Sequence, residues 1–258
     1  MDTPETATIN QLKKTNSEAV IEINNLKKTF GTQEVLKNIS LKLMKNENLV
    51  VLGKSGSGKS VLIKCIVRLM CPTEGIINIL GEDVSKLNCN MLAELRKKIG
   101  FLFQSGALYD SMTVKQNLEF PLQRIKKELN QKEIDEKIEE VLENVGLSDA
   151  LNKMPSQLSG GMRKRISLAR TIVLDPLIML YDEPTTGLDP ATSDEISLLI
   201  NEVQKKYKTS SIIITHDIEC ARNTADRLIM LQDGEVYLEG KIQDFEKSTD
   251  PLIKSFFK

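Results

Sequence analysis

Hydrophobic positions along the chain fall into two kinds of run. Runs of four or five residues rich in Val, Ile and Leu predict β-strands, and runs with apolar residues three or four apart predict helices. The predicted strands are Val20–Ile23, Ile39–Leu43, Leu49–Leu52, Ile76–Leu80, Ile99–Phe103, Ile178–Asp182, Ser211–Thr215, Leu228–Leu231 and Glu235–Leu238. The predicted helices are Lys59–Met70, Met91–Lys97, Lys132–Val145, Met162–Leu174, Ala191–Lys206 and Ile218–Ala225. Their alternation indicates an α/β fold with a mainly parallel core sheet, to which the strands before residue 50 form an antiparallel addition.

The stretch from about residue 88 to 174 is mostly helical and heavily charged. One predicted helix carries apolar residues at helical spacing, namely Ile134, Ile138, Val141, Leu142 and Val145. We interpret them as a core-facing stripe rather than a membrane-surface face, because the polar face is acidic as well as basic. We therefore predict a helical subdomain at about 88–174, inserted into a domain over residues 18–240. A flexible tail at residues 1–17 and a helical tail at 241–258 complete the expected organisation.

Composition excludes several classes of function. The chain has 258 residues, one histidine, four cysteines and a net charge of -1. One histidine cannot supply a site with two histidine ligands, and the balanced charge does not favour nucleic acid or an anionic membrane surface. The cysteines form no CxxC pair, so we expect reduced thiols rather than zinc or disulfides. No apolar run approaches the ~20 residues of a membrane span and the first residues lack a signal-type segment. We expect a soluble, cytosolic protein that reaches a membrane only through a partner.

A complete phosphate-loop motif follows the predicted strand Leu49–Leu52. Its residues are Gly53, Lys54, Ser55, Gly56, Ser57, Gly58, Lys59 and Ser60, with Val61 directly after them. The glycines let backbone N–H groups surround a phosphate, and the helix N-terminus adds about half a positive charge. We expect Lys59 to reach the β- and γ-phosphates and Ser60 to bind Mg²⁺. The alternative, a glycine-rich turn with an exposed lysine, is disfavoured by the strand-to-helix context, and a dinucleotide fingerprint would need a third glycine.

Two acidic residues end the predicted strand Ile178–Asp182. The strand delivers Asp182 and Glu183 to the edge of the sheet where ligands bind, and successive strand residues point in opposite directions. We expect Asp182 in the Mg²⁺ coordination shell, in part through water, and Glu183 as the base that orients and deprotonates the attacking water. By itself such a pair more commonly marks a solvated turn, and the phosphate loop changes that interpretation.

The run Leu158-Ser159-Gly160-Gly161-Met162 precedes a basic helical start. Together with the motifs above, in this order and spacing, it makes the chain resemble the ABC-type ATPase family over about residues 20–240. The resemblance implies a P-loop NTPase fold and a homodimer that sandwiches two ATP molecules. In that arrangement Ser159, Gly160 and Gly161 face the γ-phosphate bound by the opposite subunit. Met162 stands where the family commonly has glutamine; we expect ATPase function to survive, with altered contacts across the interface.

The resemblance also implies roles for four further residues. Gln104 would touch Mg²⁺ and the attacking water and link ATP to the helical insertion. Asp189 would cross the dimer interface. Phe30 would stack on adenine, with a core or edge phenylalanine as the alternative. His216 would hydrogen-bond the γ-phosphate, with a structural histidine as the alternative.

A finer resemblance points to the ATPase subunits of Mla/Mce-type phospholipid transporters. It rests on residues 103–114, on Asn117-Leu118 and Phe120-Pro121-Leu122, on the run Leu158–Met162 with its Met ending, and on the tail Asp250–Phe257. It implies an integral membrane permease of the MlaE type, an Mce-domain protein and a small cytoplasmic STAS-type regulator as partners. It also implies a place on the cytoplasmic face of an inner membrane, and phospholipid movement between inner and outer membranes. Two alternatives stay open: an importer ATPase for a small polar solute, and a non-transport ATPase that regulates a membrane complex.

Overall fold

Ten strands in the described part of the chain form two sheets. The computed structural model describes residues 18–257, so the tail predicted at residues 1–17 and the last residue, Lys258, lie outside the described residues. The first sheet has the order β2-β1-β4-β5 and is antiparallel throughout. The second has the order β10-β9-β3-β8-β7-β6, in which only β10 runs antiparallel to its neighbour. The strands are β1 (Ala19–Phe30), β2 (Gln33–Met44), β3 (Asn48–Leu52), β4 (Glu74–Ile79), β5 (Glu82–Asp83), β6 (Ile99–Leu102), β7 (Ile178–Asp182), β8 (Ser210–Thr215), β9 (Arg227–Gln232) and β10 (Glu235–Gly240).

The second sheet separates two hydrophobic cores. Successive residues of a strand point to opposite faces, so a strand covered on both faces is apolar throughout. In β3, Leu49 and Val51 join the core beneath the first sheet, whereas Val50 and Leu52 join the core of the helical side. This double burial explains the continuous apolar runs of the central strands, and it confirms the predicted fold class of a mixed core sheet with an antiparallel addition.

Helices cover both faces of the core sheet. They are α1 (Lys59–Ile66), α2 (Cys89–Lys97), α3 (Val114–Ile125), α4 (Gln131–Asn144), α5 (Gly160–Ile172), α6 (Pro190–Tyr207), α7 (Ile218–Thr224), α8 (Ile242–Glu246) and α9 (Pro251–Phe256). Within residues 18–257, no helix combines the length and the apolar character needed to cross a bilayer. In α4, the predicted stripe Ile134, Ile138, Val141 and Leu142 is buried, as the spacing indicates.

One boundary and one helix differ from the prediction. Leu92 and Leu95 of α2 pack in the core beneath the first sheet, and β6 pairs with β7, so the helical insertion begins after β6 and not near residue 88. A helix that was not predicted, α3, begins at a capping box formed by Thr113 and Gln116. Its sequence contains Pro121, which weakens the helical pattern. The C-terminal helices α8 and α9 are anchored in the core by Phe245 and Ile253.

Candidate functional site

The phosphate loop connects β3, at the centre of the core sheet, to α1. A Cβ atom at Gly53 would lie 2.5 Å from the carbonyl oxygen of Leu231, and one at Gly58 would lie 2.7 Å from a methyl group of Leu36. Gly58 also has φ +100° and precedes α1 without any side-chain cap. The first N–H groups of α1 therefore have no side-chain partner, which is the arrangement that receives an anion.

Lys59 is held at the mouth of this loop. Its side chain is only 5% exposed, and Nζ donates to the carbonyl oxygens of Gly53 (2.7 Å) and Lys54 (2.9 Å). The same nitrogen lies 3.7 Å from Glu183 Oε1. Burial lowers the pKa of the Lys59 ammonium, while the charge of Glu183 opposes that shift. The loop thus carries a buried cation that a phosphate can neutralise.

Ser60 and Asp182 form a pair of oxygen ligands beside the loop. Ser60 Oγ donates to Asp182 Oδ1 at 3.0 Å. Asp182 is buried, and burial raises the pKa of its carboxyl group, against the effect of the Ser60 hydrogen bond. A cation beside Asp182 would stabilise its charged form, and a hydroxyl and a carboxylate are ligands that Mg²⁺ prefers. The residues present therefore fit this ion.

Glu183 lies at the centre of a small polar cluster. Its Oε2 is 2.7 Å from His216 Nδ1 and accepts a hydrogen bond from Thr186 Oγ1 at 3.1 Å. The backbone of Glu183 has φ +53°, in the left-handed region that a non-glycine residue rarely adopts. Its N–H donates to Ile214 O at 2.9 Å. The carboxylate is thus held by contacts from two segments and is aimed at the phosphate loop.

A cavity of about 520 Å³ brings half of the predicted site residues together. Its lining comprises Val35, Ser55, Gly56, Gly58, Lys59, Ser60, Val61, Gln104, Glu183 and His216. Val35 and Thr186 were missed by sequence reasoning, since a valine in a strand and a threonine in a turn carry no motif. Gln104 reaches the cavity from the end of β6, as the resemblance implies.

The predicted signature residues are separate from this cavity. Ser159 caps α5 by accepting a hydrogen bond from Met162 N at 3.2 Å, and Ser159 and Gly160 are exposed. Gly161 is buried, and a Cβ atom there would lie 2.5 Å from Thr192 Cγ2. Thr192 in turn donates to Asp189 Oδ2 at 2.6 Å, and that hydrogen bond lowers the pKa of Asp189. The signature turn and the Asp189 turn thus adjoin each other within one chain.

Phe30 is a further predicted residue that is absent from the lining of the cavity. Its side chain is 44% exposed at the end of β1, with Lys28 Nζ 4.8 Å from the ring centroid. It is absent from the described lining of the cavity, where Val35 from β2 stands instead. Its stacking on adenine stays a prediction.

The segment after Gln104 forms a second groove on the helical side. Buried Asn117 organises it, accepting from Tyr109 N at 2.8 Å and donating to the carbonyl oxygens of Tyr109, Met112 and Thr113. The adjacent groove, of about 450 Å³, is lined by Ser111, Met112, Gln116, Glu119, Phe120 and Gln123. The loop is thus fixed by a buried side chain and presents a mixed polar and aromatic surface.

Comparison with known sequences agrees with this geometry. The profile of the ABC transporter family matches residues 36–186. The probable ribonucleotide transport ATP-binding protein mkl of Mycobacterium tuberculosis is 39% identical over 236 residues, which cover 92% of this chain and 66% of that protein. The chain thus spans just under two thirds of the length of this relative. The Arabidopsis thaliana protein trigalactosyldiacylglycerol 3, chloroplastic, is 36% identical over 258 residues, covering 93% of this chain and 74% of that protein. The methionine import ATP-binding protein MetN of Clostridium tetani is 36% identical over 225 residues, covering 87% and 70%.

Solved structures match over nearly their whole length. The dimeric, post-hydrolysis structure of the ATP-binding cassette MJ0796 bound to ADP and Pi has a TM-score of 0.78 and 34% identity, covering 86% of this chain and 98% of that chain. The structure of cbiO1 from Clostridium perfringens, part of the ABC transporter complex cbiONQ, has a TM-score of 0.83 and 27% identity, covering 93% and 95%. The chain therefore belongs to the ABC transporter family and carries its ATP-binding, ATPase domain.

Proposed function

We propose that this chain is the ATP-hydrolysing subunit of an ABC transporter that moves phospholipid, of the Mla/Mce (MlaF) type. The observation that carries the ATPase part is the convergence of Lys59, Glu183 and His216 on one cavity, next to the Ser60–Asp182 pair. A phosphate-binding cation, a base and a metal-ligand pair at one phosphate loop are the groups that hydrolysis of a nucleoside triphosphate requires.

Each residue has a definite task in this proposal. The loop N–H groups and Lys59 bind the phosphates, and Glu183 accepts a proton from the attacking water. Thr186 and His216 hold the Glu183 carboxylate through its Oε2 atom, so that Oε1 faces Lys59 and the loop. Bound at Ser60, Asp182 and Gln104, Mg²⁺ would neutralise charge on the transferred phosphoryl group. His216 contacts Glu183 through Nδ1 and its exposed ring lines the cavity, so its other ring nitrogen is the atom that would hydrogen-bond the γ-phosphate and sense its loss.

Two copies of the chain complete the site. Ser159 Oγ accepts a hydrogen bond from Met162 N, which leaves the hydroxyl proton available to a phosphate oxygen. Because Ser159 and Gly160 are exposed and lie outside the cavity of their own chain, we assign them to the ATP held by a second copy. Gln104, Asp189 and Phe30 keep the roles that the family resemblance implies.

The groove beside Asn117 supports contact with a membrane permease. It adjoins the segment that contains Gln104, so a helix seated there would act directly on the catalytic cavity. We assign the groove to an MlaE-like permease and place the dimer on the cytoplasmic face of the inner membrane, with an Mce-domain protein and a STAS-type regulator in the same complex. The chain's near-zero net charge supports membrane contact through this permease and gives no support to nucleic-acid binding.

The choice of a lipid as the cargo is supported by the name of one relative. The Arabidopsis relative is named after a galactolipid, trigalactosyldiacylglycerol. A second candidate, an importer of a small polar solute, is favoured by the relatives named for methionine import and ribonucleotide transport. The two candidates share the ATPase and differ in the permease that occupies the groove and in the further partner proteins of the complex.

Purification of the complex from membranes separates the candidates. The tagged chain is isolated with the permease it binds, and its protein partners and extracted lipids are identified by mass spectrometry, with a tag-only preparation as the control. An Mce-domain partner and co-purified phospholipid are the expected result. A soluble substrate-binding protein without bound lipid would replace the proposal with the importer, and a partner without a translocation path would replace it with a regulatory complex.

A further inference from the structure

Lys164 is a buried lysine in a charged run of the signature helix. It lies between Arg163 and Arg165 near the start of α5, yet only 7% of its surface is exposed. Lysine is almost never so buried without partners that satisfy its ammonium group. The partners of this side chain therefore call for a functional explanation.

Its hydrogen bonds go to two main-chain carbonyl oxygens in the catalytic region. Nζ lies 2.6 Å from Gln104 O and 3.3 Å from Glu183 O. Gln104 follows β6 and Glu183 follows β7, which are neighbouring parallel strands of the core sheet. A single ammonium group thus joins α5 to the backbones of Gln104 and Glu183, two residues that follow neighbouring strands and line the cavity.

The Glu183 backbone needs such a contact. A non-glycine residue in the left-handed region is strained, and it persists only where its surroundings hold it. Glu183 has φ +53°; its N–H is fixed by Ile214 O, and its carbonyl oxygen accepts from Lys164 Nζ at 3.3 Å and from Thr186 N at 3.4 Å. Loss of the Lys164 contact leaves this carbonyl with only the longer bond, which comes from its own turn, and removes its link to α5.

The segment of Gln104 is also fastened to the same face of α5. Residues at positions 164, 167 and 170 recur at a spacing of three and lie on one side of a helix. A Cβ atom at Gly106 would lie 2.6 Å from Ser167 Oγ, and Arg170 Nη1 donates to Ala107 O at 2.9 Å. The backbone from residue 104 to 107 is therefore held against α5 by hydrogen bonds at both ends and by close packing between them.

We propose that Lys164 is a positioning residue for ATP hydrolysis, which fixes the Gln104 and Glu183 backbones so that both side chains enter the cavity together. Because α5 begins at the signature turn, Lys164 also links the turn that meets a second copy to the catalytic groups of its own chain. This inference rests on the roles proposed above for Gln104 and Glu183.

Lysine suits this position for a chemical reason. Its compact ammonium offers three donors on a flexible stem, so it can serve two carbonyl oxygens from different segments. Burial lowers the pKa of Lys164, while the charges of Glu183 and Asp182 oppose that shift. These carboxylates thus help to keep the side chain in its charged, three-donor form.

The test compares Lys164→Met and Lys164→Arg with Lys132→Met, which alters an exposed lysine on α4. Turnover, KM, affinity for a fluorescent ATP analogue and thermal unfolding are measured on the full chain. For Lys164→Met we expect kcat to fall by up to about a hundredfold, the scale of an ~1 Å misplacement, with nucleotide affinity nearly unchanged. Lys164→Arg should recover most of the turnover, and Lys132→Met should behave as the unaltered chain. Equal turnover in Lys164→Met and the unaltered chain would overturn the inference.

A double variant separates positioning from simple structural support. The double variant combines Lys164→Met with Gln104→Ala. If Lys164 acts through Gln104, the fold-loss of kcat in the double variant should be smaller than the product of the fold-losses in the two single variants. Fully multiplicative losses would overturn the inference. Should Lys164→Met fail to fold, Lys164→Gln takes its place, because its neutral amide keeps two N–H donors and removes the charge; the inference requires reduced kcat with unchanged affinity.

Two controls keep this outcome distinct from failure of the proposed site. If Gln104→Ala and Glu183→Gln both retain normal turnover, the catalytic assignment is wrong, and the Lys164 inference falls with it. If they lose turnover while Lys164→Met does not, the assignment stands and the Lys164 inference alone is wrong.

Discussion

The molecule has two glycine-rich turns at helix N-termini, and the two helices are capped differently. At α1 the cap is Gly58, without a side-chain hydrogen bond, and buried Lys59 lies beside it. At α5 the cap is Ser159, which already accepts from Met162 N, and the turn is exposed. The α1 turn therefore has open N–H donors and a cation, whereas the α5 turn offers a partly satisfied set of donors.

This difference in capping and charge gives the two turns different roles in nucleotide binding. A triphosphate needs more positive charge than one helix terminus supplies, so the α1 turn with Lys59 can bind ATP within one chain. In the proposed dimer, the α5 turn of a second copy adds a few hydrogen bonds to a phosphate that is already held. Nucleotide affinity should thus depend on the α1 turn, and assembly and turnover on both.

The largest effect is expected from replacing the proposed base, a substitution that leaves both turns intact. Glu183→Gln should lower the rate of phosphate release by about 10²–10⁴-fold, the usual contribution of a positioned general base, while ATP still binds. Single-turnover phosphate release and equilibrium nucleotide binding measure the two quantities. Glu136→Gln, on the exposed face of α4, serves as the control. Turnover within about threefold of normal, far above the range for a lost base, would remove Glu183 from the mechanism.

A smaller effect is expected from breaking the α1 turn. Lys59→Ala should weaken ATP binding by about 10–100-fold, because a hydrogen bond to a charged group contributes about 1.5–3 kcal/mol. Titration with a fluorescent ATP analogue measures it, with Lys132→Ala as the matched control. Unchanged affinity would show that the buried ammonium does not contact the nucleotide.

The smallest effect is expected at the N-terminus of α5, where a substitution of Ser159 tests whether this residue binds phosphate in addition to capping the helix. Ser159→Ala should lower the free energy of unfolding by about 1 kcal/mol, the typical value of an N-cap, and should also lower turnover by about tenfold. Asn130→Ala, which removes the N-cap of α4, should cost similar stability without loss of turnover. Chemical unfolding and steady-state phosphate release measure both. If the two variants lose turnover equally, the role of Ser159 is limited to the fold.

The fold could be predicted where burial dictates the sequence. Central strands such as β3 and β8 are buried on both faces, so their apolar runs are unmistakable. β1 extends to Phe30, well beyond the predicted Val20–Ile23, because pairing with β2 holds its half-exposed end. α3 escaped prediction because its start depends on a capping box and its interior contains Pro121.

The site could be predicted where a sequence motif determines both the backbone conformation and the side chains that it carries. The phosphate loop and the Asp182–Glu183 pair adjoin in space as their sequence context indicates. The burial of Lys164 could not be predicted, because a lysine between two arginines is a sequence pattern typical of a solvent-exposed helix face. Its burial follows from the packing of α5 on the segment after β6, which no local pattern encodes.

Sedimentation velocity of Glu183→Gln tests the central claim, that the α1 turn of one chain and the α5 turn of another share one ATP. The sedimenting boundary gives the mass of the protein, and the absorbance of that boundary at 260 nm gives the nucleotide bound to it. The account predicts a monomer without nucleotide and, with Mg²⁺ and ATP, a dimer that carries ATP. A boundary that carries ATP and keeps the mass of a monomer would contradict it.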